Sequence, residues 1–270
     1  MVVQHNLSAM NTNRQMGVVT SALQKSTEKL SSGYKINRAG DDAAGLSISE
    51  KMRSQIRGLN KASDNAQDGI SLIQVAEGAL NETHSILQRM NELATQAAND
   101  TNTSVDRQSI KDEIKQLNEE LDRISSTTQF NKQDLLTGGF SGKLQVGALE
   151  GQTMDVKISL AVSANGLNVS AVEVSTNVKA GAAMKSIQEA IESVSKQRSK
   201  LGAIQNRLEH TINNLDTNAE NTQAAESRIR DTDMADEMVQ YSKNNILSQA
   251  GQSMLTQANQ QTQGVLSLLG

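Results

Sequence analysis

The sequence contains no cysteine, no proline and no tryptophan, and only two Phe and two Tyr among its 270 residues. Without Cys there can be no disulfides, thiolate chemistry or Cys-based zinc sites. Because Pro interrupts helices, its absence permits very long ones. A single globule of this length normally has aromatic anchors in its core, so the scarcity of aromatics argues against one.

The net charge is small, and long apolar runs are missing. The net charge of −4 argues against nucleic acid as a main partner. No stretch approaches about eighteen consecutive apolar residues, so we expect no membrane span. The N-terminal segment lacks a basic region followed by an apolar stretch, and we therefore expect any export to proceed without an ordinary cleaved signal.

Motifs for catalysis are missing as well. His5, His84 and His210 are far apart, and no metalloprotease, nucleophile-elbow, phosphate-loop or dinucleotide motif is present. The adjacent carboxylates of Asp41 and Asp42 are typical of a helix cap. We therefore predict that the protein is not an enzyme and holds no metal or cofactor.

Apolar spacing predicts helices over most of the chain. We expect a helix of mixed quality over residues 1–38, with Gly40 able to end it, and a second helix over 43–99. In the second helix, apolar residues recur every seven positions. After residue 104, the intervals between apolar residues alternate between four and three. The residues that carry these two patterns are Ile73, Ala76, Leu80, Leu87, Met90, Ala94 and Ala97, then Ile110, Ile114, Leu117, Leu121 and Ile124.

Residues 129–180 change character. "KLQVGA" and the alternating "MDVKISL" predict strands, "LNVSAVEV" is a further β-prone stretch, and turn residues separate them. Near-heptad spacing returns from about residue 181 to 229, and a last helix is expected over 234–269. The order is therefore helices, a short β insert, then helices.

These elements predict a mainly α fold: an elongated antiparallel helical bundle or coiled-coil rod with a small β-hairpin insert at about 140–178. A helix over 43–99 would be roughly 80 Å long. A compact globule of this length has a diameter of only about 50 Å. The chain is therefore expected to fold back on itself through the insert.

The two chain ends carry aliphatic residues that two thin helices cannot cover for each other. Burial of each is worth roughly 1.5–3 kcal/mol. We expect these residues to pack against other copies, and contacts that do not close into a ring give an open helical filament. A membrane-surface helix is disfavoured, because the segment lacks Trp and a dense basic face. The expected contact residues are Val3, Leu7, Met10, Leu247, Met254, Val265, Leu266, Leu268 and Leu269.

Several long motifs resemble one family. "NLSAMNTNRQM", "STEKLSSGYKINRAGDDAAGLSISEKMRSQIRGL", "NAQDGISLIQVAEGALNETHSILQRMNELATQAAND", "LGAIQNRLEHTINNL" and "ANQQTQGVLSLLG" are together similar to bacterial flagellin, in the right order and over nearly the whole chain. The resemblance implies a structural subunit that self-assembles into the flagellar filament for motility. Because only about twenty residues separate "MDVKISL" from the next helix, it implies a minimal form without large variable outer domains.

The resemblance also implies an arrangement and partners. Residues 1–40 and 233–270 would form the inner core of the filament, and residues 41–232 the outer tube. The subunit would leave the cell unfolded by the flagellar type III route and become part of an extracellular flagellum. Its partners would be further copies, an export chaperone, and cap and hook-associated proteins, with no nucleic acid and no membrane. The alternative is a hook–filament junction protein, which shares the terminal-helix plan.

Finally, the resemblance implies a binding site for the innate Toll-like flagellin receptor at "QRMNELATQ". Arg89 and Leu93 would lie at its centre, and their replacement by Ala would weaken binding at least about tenfold. Asn91 stands where strongly activating members commonly carry a basic residue. The surrounding site residues would be Gln88, Glu92, Gln96, Ile110 and Glu113.

Overall fold

The structure is a computed structural model that describes residues 6–269, with side chains described up to Gln261. Val3 lies outside these residues, and the side chains of Val265, Leu266, Leu268 and Leu269 lie outside the described side chains. The elements in chain order are α1 Leu7–Ser32, α2 Ala43–Ala97, α3 Ser104–Thr127, β1 Gln129–Phe130, β2 Gln133–Asp134, β3 Phe140–Gln145, β4 Thr153–Ile158, α4 Asn177–Arg230 and α5 Met234–Leu269.

The prediction of a mainly α fold with long helices and a small β insert is confirmed. Two of the helices have 55 and 54 residues, far above the usual length of about 11–12 residues. In the part of the chain that the structure describes, no helix is both long and apolar enough to span a bilayer.

The first helix ends six residues before its predicted end at residue 38. Gly33 has φ 74°, a left-handed conformation, and its N–H donates to the carbonyl of Lys29. Glycine adopts this conformation at little cost and so ends the helix. Gly40, which we considered able to end it, lies in the connection to α2. The next cap is as predicted: the Asp42 carboxylate accepts the N–H of Gly45 at 2.9 Å.

The chain forms two compact units, one made of residues 56–220 and the other of the described residues up to 55 together with those from 221 onward. In the 56–220 unit, α2 runs antiparallel to α4. Ser63 donates to Asp216, and Asn177 donates to the carbonyl of Ala98 at the far end of α2. The predicted seam on α2 is confirmed, since its residues are fully buried: Ile73, Ala76, Leu80, Leu87, Met90, Ala94 and Ala97.

Helix α3 and the β3–β4 hairpin pack against the same core. A capping box starts α3: the Thr103 hydroxyl accepts the N–H of Asp106, and the Asp106 carboxylate accepts the N–H of Thr103. In the hairpin, the alternation of Met154, Val156 and Ile158 toward the core is confirmed.

The chain after β4 departs from the prediction. "LNVSAVEV" does not form a strand, because its N–H groups donate within tight turns: Leu167 to Ser163, and Val169 to Ala164. Leu167, Val169 and Val174 of this stretch are nevertheless buried. A short ladder, β1–β2, was not expected; its turn residues Asn131 and Lys132 both have positive φ, as a type I′ turn requires.

In the other unit, α1 and α5 lie antiparallel. Lys29 forms an ion pair with Glu237 near the start of α5, whereas Asn6 donates to the carbonyl of Ala258 much later in α5. Between these contacts, Gly251 faces the Met16 side chain. Glu237, Gly251 and Ala258 are separated by multiples of seven residues, so a single line along α5 contacts α1.

Candidate functional site

The apolar residues of α1 that face away from α5 are exposed. Leu7 is 71% exposed, and Val18, eleven residues later and therefore on the same side of the helix, is 61% exposed. Met10 lies beside them and is also exposed. Ser26 is the one buried residue in the described part of α1. This side of α1 therefore carries exposed apolar residues that nothing within the described residues covers.

Helix α5 has a matching exposed surface. Val239 and Ile246 are seven residues apart, and each is 66% exposed. Each lies two positions after a position on the line through Glu237, Gly251 and Ala258 that contacts α1. Two positions correspond to about 200° around the helix, so Val239 and Ile246 lie opposite α1. Leu247 and Met254 form a second exposed pair with the same spacing, next to the first. We call the exposed residues Leu7, Met10, Val18, Val239, Ile246, Leu247 and Met254 the terminal apolar surface.

Sequence reasoning found four members of this surface: Leu7, Met10, Leu247 and Met254. It missed Val18, Val239 and Ile246, although the seven-residue spacing of the last two was a readable signal. It missed Val239 and Ile246 because α5 carries apolar residues on two sides, so that a single heptad line does not reveal which side is paired. The expected role of these residues in contacts between copies stays a prediction.

A group of charged residues surrounds Tyr34 where the connection after α1 lies beside the end of α4. The Tyr34 ring lies between two guanidinium groups, with the ring centre 5.2 Å from Arg53 and 4.9 Å from Arg230. Arg53 also donates to the Tyr34 hydroxyl at 2.8 Å and pairs with Glu226 at 3.2 Å. Arg230 pairs with Glu50. We call these five residues the Tyr34 clamp.

Backbone contacts reinforce the clamp. The N–H of Lys35 donates to the carbonyl of Arg230, and the N–H of Thr232 donates to the carbonyl of Gly33. The two connections, 33–42 and 231–233, are therefore held side by side by a short ladder around Tyr34 and Asp231. Here the one aromatic ring, packed between two guanidinium groups, takes the role that several large apolar side chains have in an ordinary core.

The residues predicted for receptor binding lie together on α2 and α3. Arg89 donates to Glu113 on α3 at 3.0 Å and to Glu92 at 3.3 Å, and these two carboxylates raise its pKa. Gln88, Glu92 and Gln96 are exposed on the same side of α2. The arrangement is an exposed polar surface with a guanidinium at its centre.

Two of the predicted receptor residues are placed differently from what we expected. Leu93 is 2% exposed and Ile110 is 7% exposed, and both belong to the core that α2 shares with α3. Leu93 is therefore not at the centre of an exposed surface. Leu93 is four residues from Arg89 and thus near it on α2, but the short Leu side chain packs inward where the longer Arg reaches solvent.

The described residues contain no group of His, Cys, Asp or Glu that could hold a metal ion. What the fold offers instead is a well-packed helical core and a pair of terminal helices with an uncovered apolar surface. These features define a class, that of structural subunits that assemble with their own copies.

Comparison with known proteins identifies the family within that class. Family models described as the bacterial flagellin N-terminal helical region and the bacterial flagellin C-terminal helical region match residues 3–141 and 184–269. Flagellin of Halalkalibacterium halodurans is 56% identical over 100% of both chains. The crystal structure of Bacillus cereus flagellin matches with a TM-score of 0.51 and 32% identity, over 60% of this chain and 94% of that one. The chain belongs to the bacterial flagellin family.

The hook–filament junction alternative is not favoured. The structure of a putative flagellar hook-associated protein from Vibrio parahaemolyticus matches with a TM-score of 0.59, over 71% of this chain and 100% of that one. Its identity is only 14%, so the likeness is one of fold alone. This chain is therefore a flagellin, a structural subunit that self-assembles into the flagellar filament, in a short form without the variable outer domain.

Proposed function

We propose that α1 and α5 form the inner core of the filament and that the terminal apolar surface is where neighbouring copies pack. The observation that carries this proposal is the exposure of Val239 and Ile246 on the side of α5 opposite to α1. A helix with apolar residues on two opposite sides needs two partners. Helix α1 supplies one partner, and a second copy supplies the other.

The arrangement of the remaining chain follows from this proposal. Residues 1–40 and 233–270 form the core of the polymer, and residues 41–232 form the tube around it. The subunit is secreted through the flagellar type III route with the aid of an export chaperone. It is then added beneath a cap, on a base of hook-associated proteins.

Replacing two apolar residues of α5 by polar ones tests the core assignment. In Val239→Gln/Ile246→Gln, the new side chains suit a helix but cost free energy when buried without hydrogen-bond partners. We expect the critical concentration for polymerisation to rise by about tenfold or more, with unchanged circular dichroism of the monomer. Sedimentation of the polymer measures it.

A matched control is Gln252→Asn, which exchanges one exposed amide for another on the same helix. It should polymerise like the unaltered protein. Normal filaments from the Val239→Gln/Ile246→Gln variant would contradict the proposed core.

A second function concerns the surface around Arg89, which we propose as a binding site for the innate Toll-like flagellin receptor. The supporting observation is the bridge from Arg89 to Glu113, which fixes an exposed guanidinium between α2 and α3. A pre-ordered Arg loses little side-chain freedom on binding, and Arg is a frequent anchor of protein interfaces. Leu93 and Ile110 hold the two helices in place from beneath this surface.

Affinity for the purified receptor ectodomain tests this site. Arg89→Ala should weaken binding by about tenfold. The control Lys115→Ala removes an exposed cation on α3 whose ion pair with Glu119 is long, at 4.0 Å, and binding should not change. Equal affinities of Arg89→Ala and the unaltered protein would reject the assignment.

A further inference from the structure

The described methionines of this chain range from buried to largely exposed. Met90 and Met154 are buried in the core of the 56–220 unit. Four others have about half or more of their surface exposed, and all four lie on the terminal helices: Met10, Met234, Met238 and Met254, with exposures of 65, 48, 50 and 59%. The chain has no Cys, so its thioethers are its most readily oxidised side chains.

The exposed thioethers lie on or next to the terminal apolar surface. Met10 lies beside Leu7 on α1, and Met254 is seven residues after Leu247 on the exposed side of α5. Met238 directly precedes Val239, and Met234 is one helical turn before Met238. A change in polarity at these sulfurs would therefore change the surface that has to be buried between copies.

We propose that these four methionines are oxidation sites of the unassembled subunit, and that their conversion to sulfoxide prevents its incorporation into the polymer. This inference rests on the proposed role of α1 and α5 as the filament core. The oxidant class is a peroxide. The thioether sulfur attacks one oxygen of hydrogen peroxide, the O–O bond breaks, an S=O bond forms, and water leaves; sulfur is oxidised and the peroxide is reduced.

The effect on assembly follows from the chemistry of the product. A sulfoxide oxygen is a strong hydrogen-bond acceptor, and its burial without a donor opposes association. The buried sulfurs of Met90 and Met154 are shielded, so the core of the 56–220 unit keeps its packing. Oxidation therefore acts on assembly and leaves the fold of the monomer in place. Copies already in the polymer are protected, because their exposed thioethers have become covered.

The test compares full-length monomer and polymer after the same mild treatment with hydrogen peroxide. Peptide mass spectrometry should find at least about tenfold faster oxidation of the four exposed methionines than of Met90 and Met154 in the monomer. In the polymer, the rates at the four positions should fall by a similar factor. The oxidised monomer should have unchanged circular dichroism and a critical concentration raised by about tenfold or more.

A variant with Leu at all four positions, Met10→Leu/Met234→Leu/Met238→Leu/Met254→Leu, keeps apolar side chains of similar volume that peroxide does not oxidise. It should polymerise equally well with and without peroxide. The matched control, Met52→Leu/Met184→Leu, changes two half-buried methionines and should stay peroxide-sensitive.

The outcomes separate the two levels of the proposal. Equal polymerisation of oxidised and untreated protein, or equal peroxide sensitivity of the fourfold Leu variant, would overturn the oxidation inference alone. Unchanged oxidation rates at the four positions in the polymer would instead contradict the filament-core assignment on which it rests.

Discussion

Two regions of this molecule use amphipathic helices in opposite ways. In the 56–220 unit, the seven-residue seam of α2 is fully buried by α4, α3 and the hairpin. In the unit that holds the chain ends, α1 and α5 pair along one line, and their other apolar residues stay exposed, as Val18 and Ile246 do. The α2 seam thus finds its partners within the chain, and exposed apolar residues of that unit, such as Val105 and Val178, lie outside the seam at the starts of α3 and α4.

The difference shows that apolar residues at helical spacing do not by themselves tell a core from an interface. The seam of α2 packs against several elements, whereas among the described residues each terminal helix packs mainly against the other. Burial of the remaining apolar area against a further copy would gain free energy. Stability of the monomer and assembly of the polymer should therefore respond to different substitutions.

The same change made in both regions should show the largest contrast. Leu80→Ala removes a fully buried side chain, and we expect the free energy of unfolding to fall by about 2–5 kcal/mol. Leu7→Ala removes an exposed one and should change it by less than about 0.5 kcal/mol in the monomer. Chemical denaturation of both variants measures the difference. Similar losses in the free energy of unfolding would contradict the contrast between the two regions.

A contrast between two glycines of α2 tests how closely the hairpin packs on the core. A Cβ at Gly69 would come within 2.3 Å of a Leu144 methyl carbon, whereas a Cβ at Gly78 would meet nothing. Gly78→Ala should stabilise by up to about 1 kcal/mol through helix propensity. Gly69→Ala should be less favourable than Gly78→Ala by about 1 kcal/mol or more, because the end of the Leu144 side chain must move. Thermal unfolding compares the two variants, and equal stabilisation by both would refute the tight contact.

A substitution in the Tyr34 clamp should lower the free energy of unfolding by less. Tyr34→Phe keeps the ring between the two guanidinium groups but removes the acceptor of the 2.8 Å hydrogen bond from Arg53, for an expected loss of about 1 kcal/mol. The control Tyr241→Phe makes the same chemical change on α5. Hydrogen exchange around 33–42 and 231–233 should become faster only in Tyr34→Phe. Equal exchange in both variants would show that the Tyr34 clamp does not hold these two connections together.

The smallest expected effect concerns the stability of the protein in acid. Hydrogen bonds from the hydroxyl and N–H of Thr103 lower the pKa of Asp106 below its ordinary value of 3.8. A lowered pKa in the folded state means that the carboxylate stabilises the fold above pH 3.8 and that this contribution is lost as pH falls through the lower, folded-state value. Asp106→Asn should therefore lower Tm at pH 7, and the difference from the unaltered protein should vanish in stronger acid. A difference that is independent of pH would contradict this origin.

Much of the fold could be predicted because its helices are long and regularly patterned. The α2 seam and the alternation in β4 were readable from spacing alone, and the start of α5 from the capping residues of "RDTD" before it. The end of α1 was wrong because Gly33 and Gly40 are both plausible stop signals, and only the backbone conformation decides between them. "LNVSAVEV" was misread because its β-prone residues are buried as a loop, which tertiary contacts determine.

The candidate sites were less readable. The Tyr34 clamp joins residues nearly 200 positions apart, and no local pattern connects Arg53 with Glu226 or Arg230. Leu93 shares helical spacing with Arg89, yet side-chain length and the position of α3 place it in the core. Which side of α5 faces α1 depends in the same way on packing and not on composition.

An electron cryomicroscopy map of the polymerised protein, at side-chain resolution, shows whether the terminal apolar surface is buried between copies. We expect Val18, Val239 and Ile246 of one copy to lie within about 4.5 Å of apolar side chains of its neighbours. Finding these side chains in solvent, on either surface of the tube, would contradict the account.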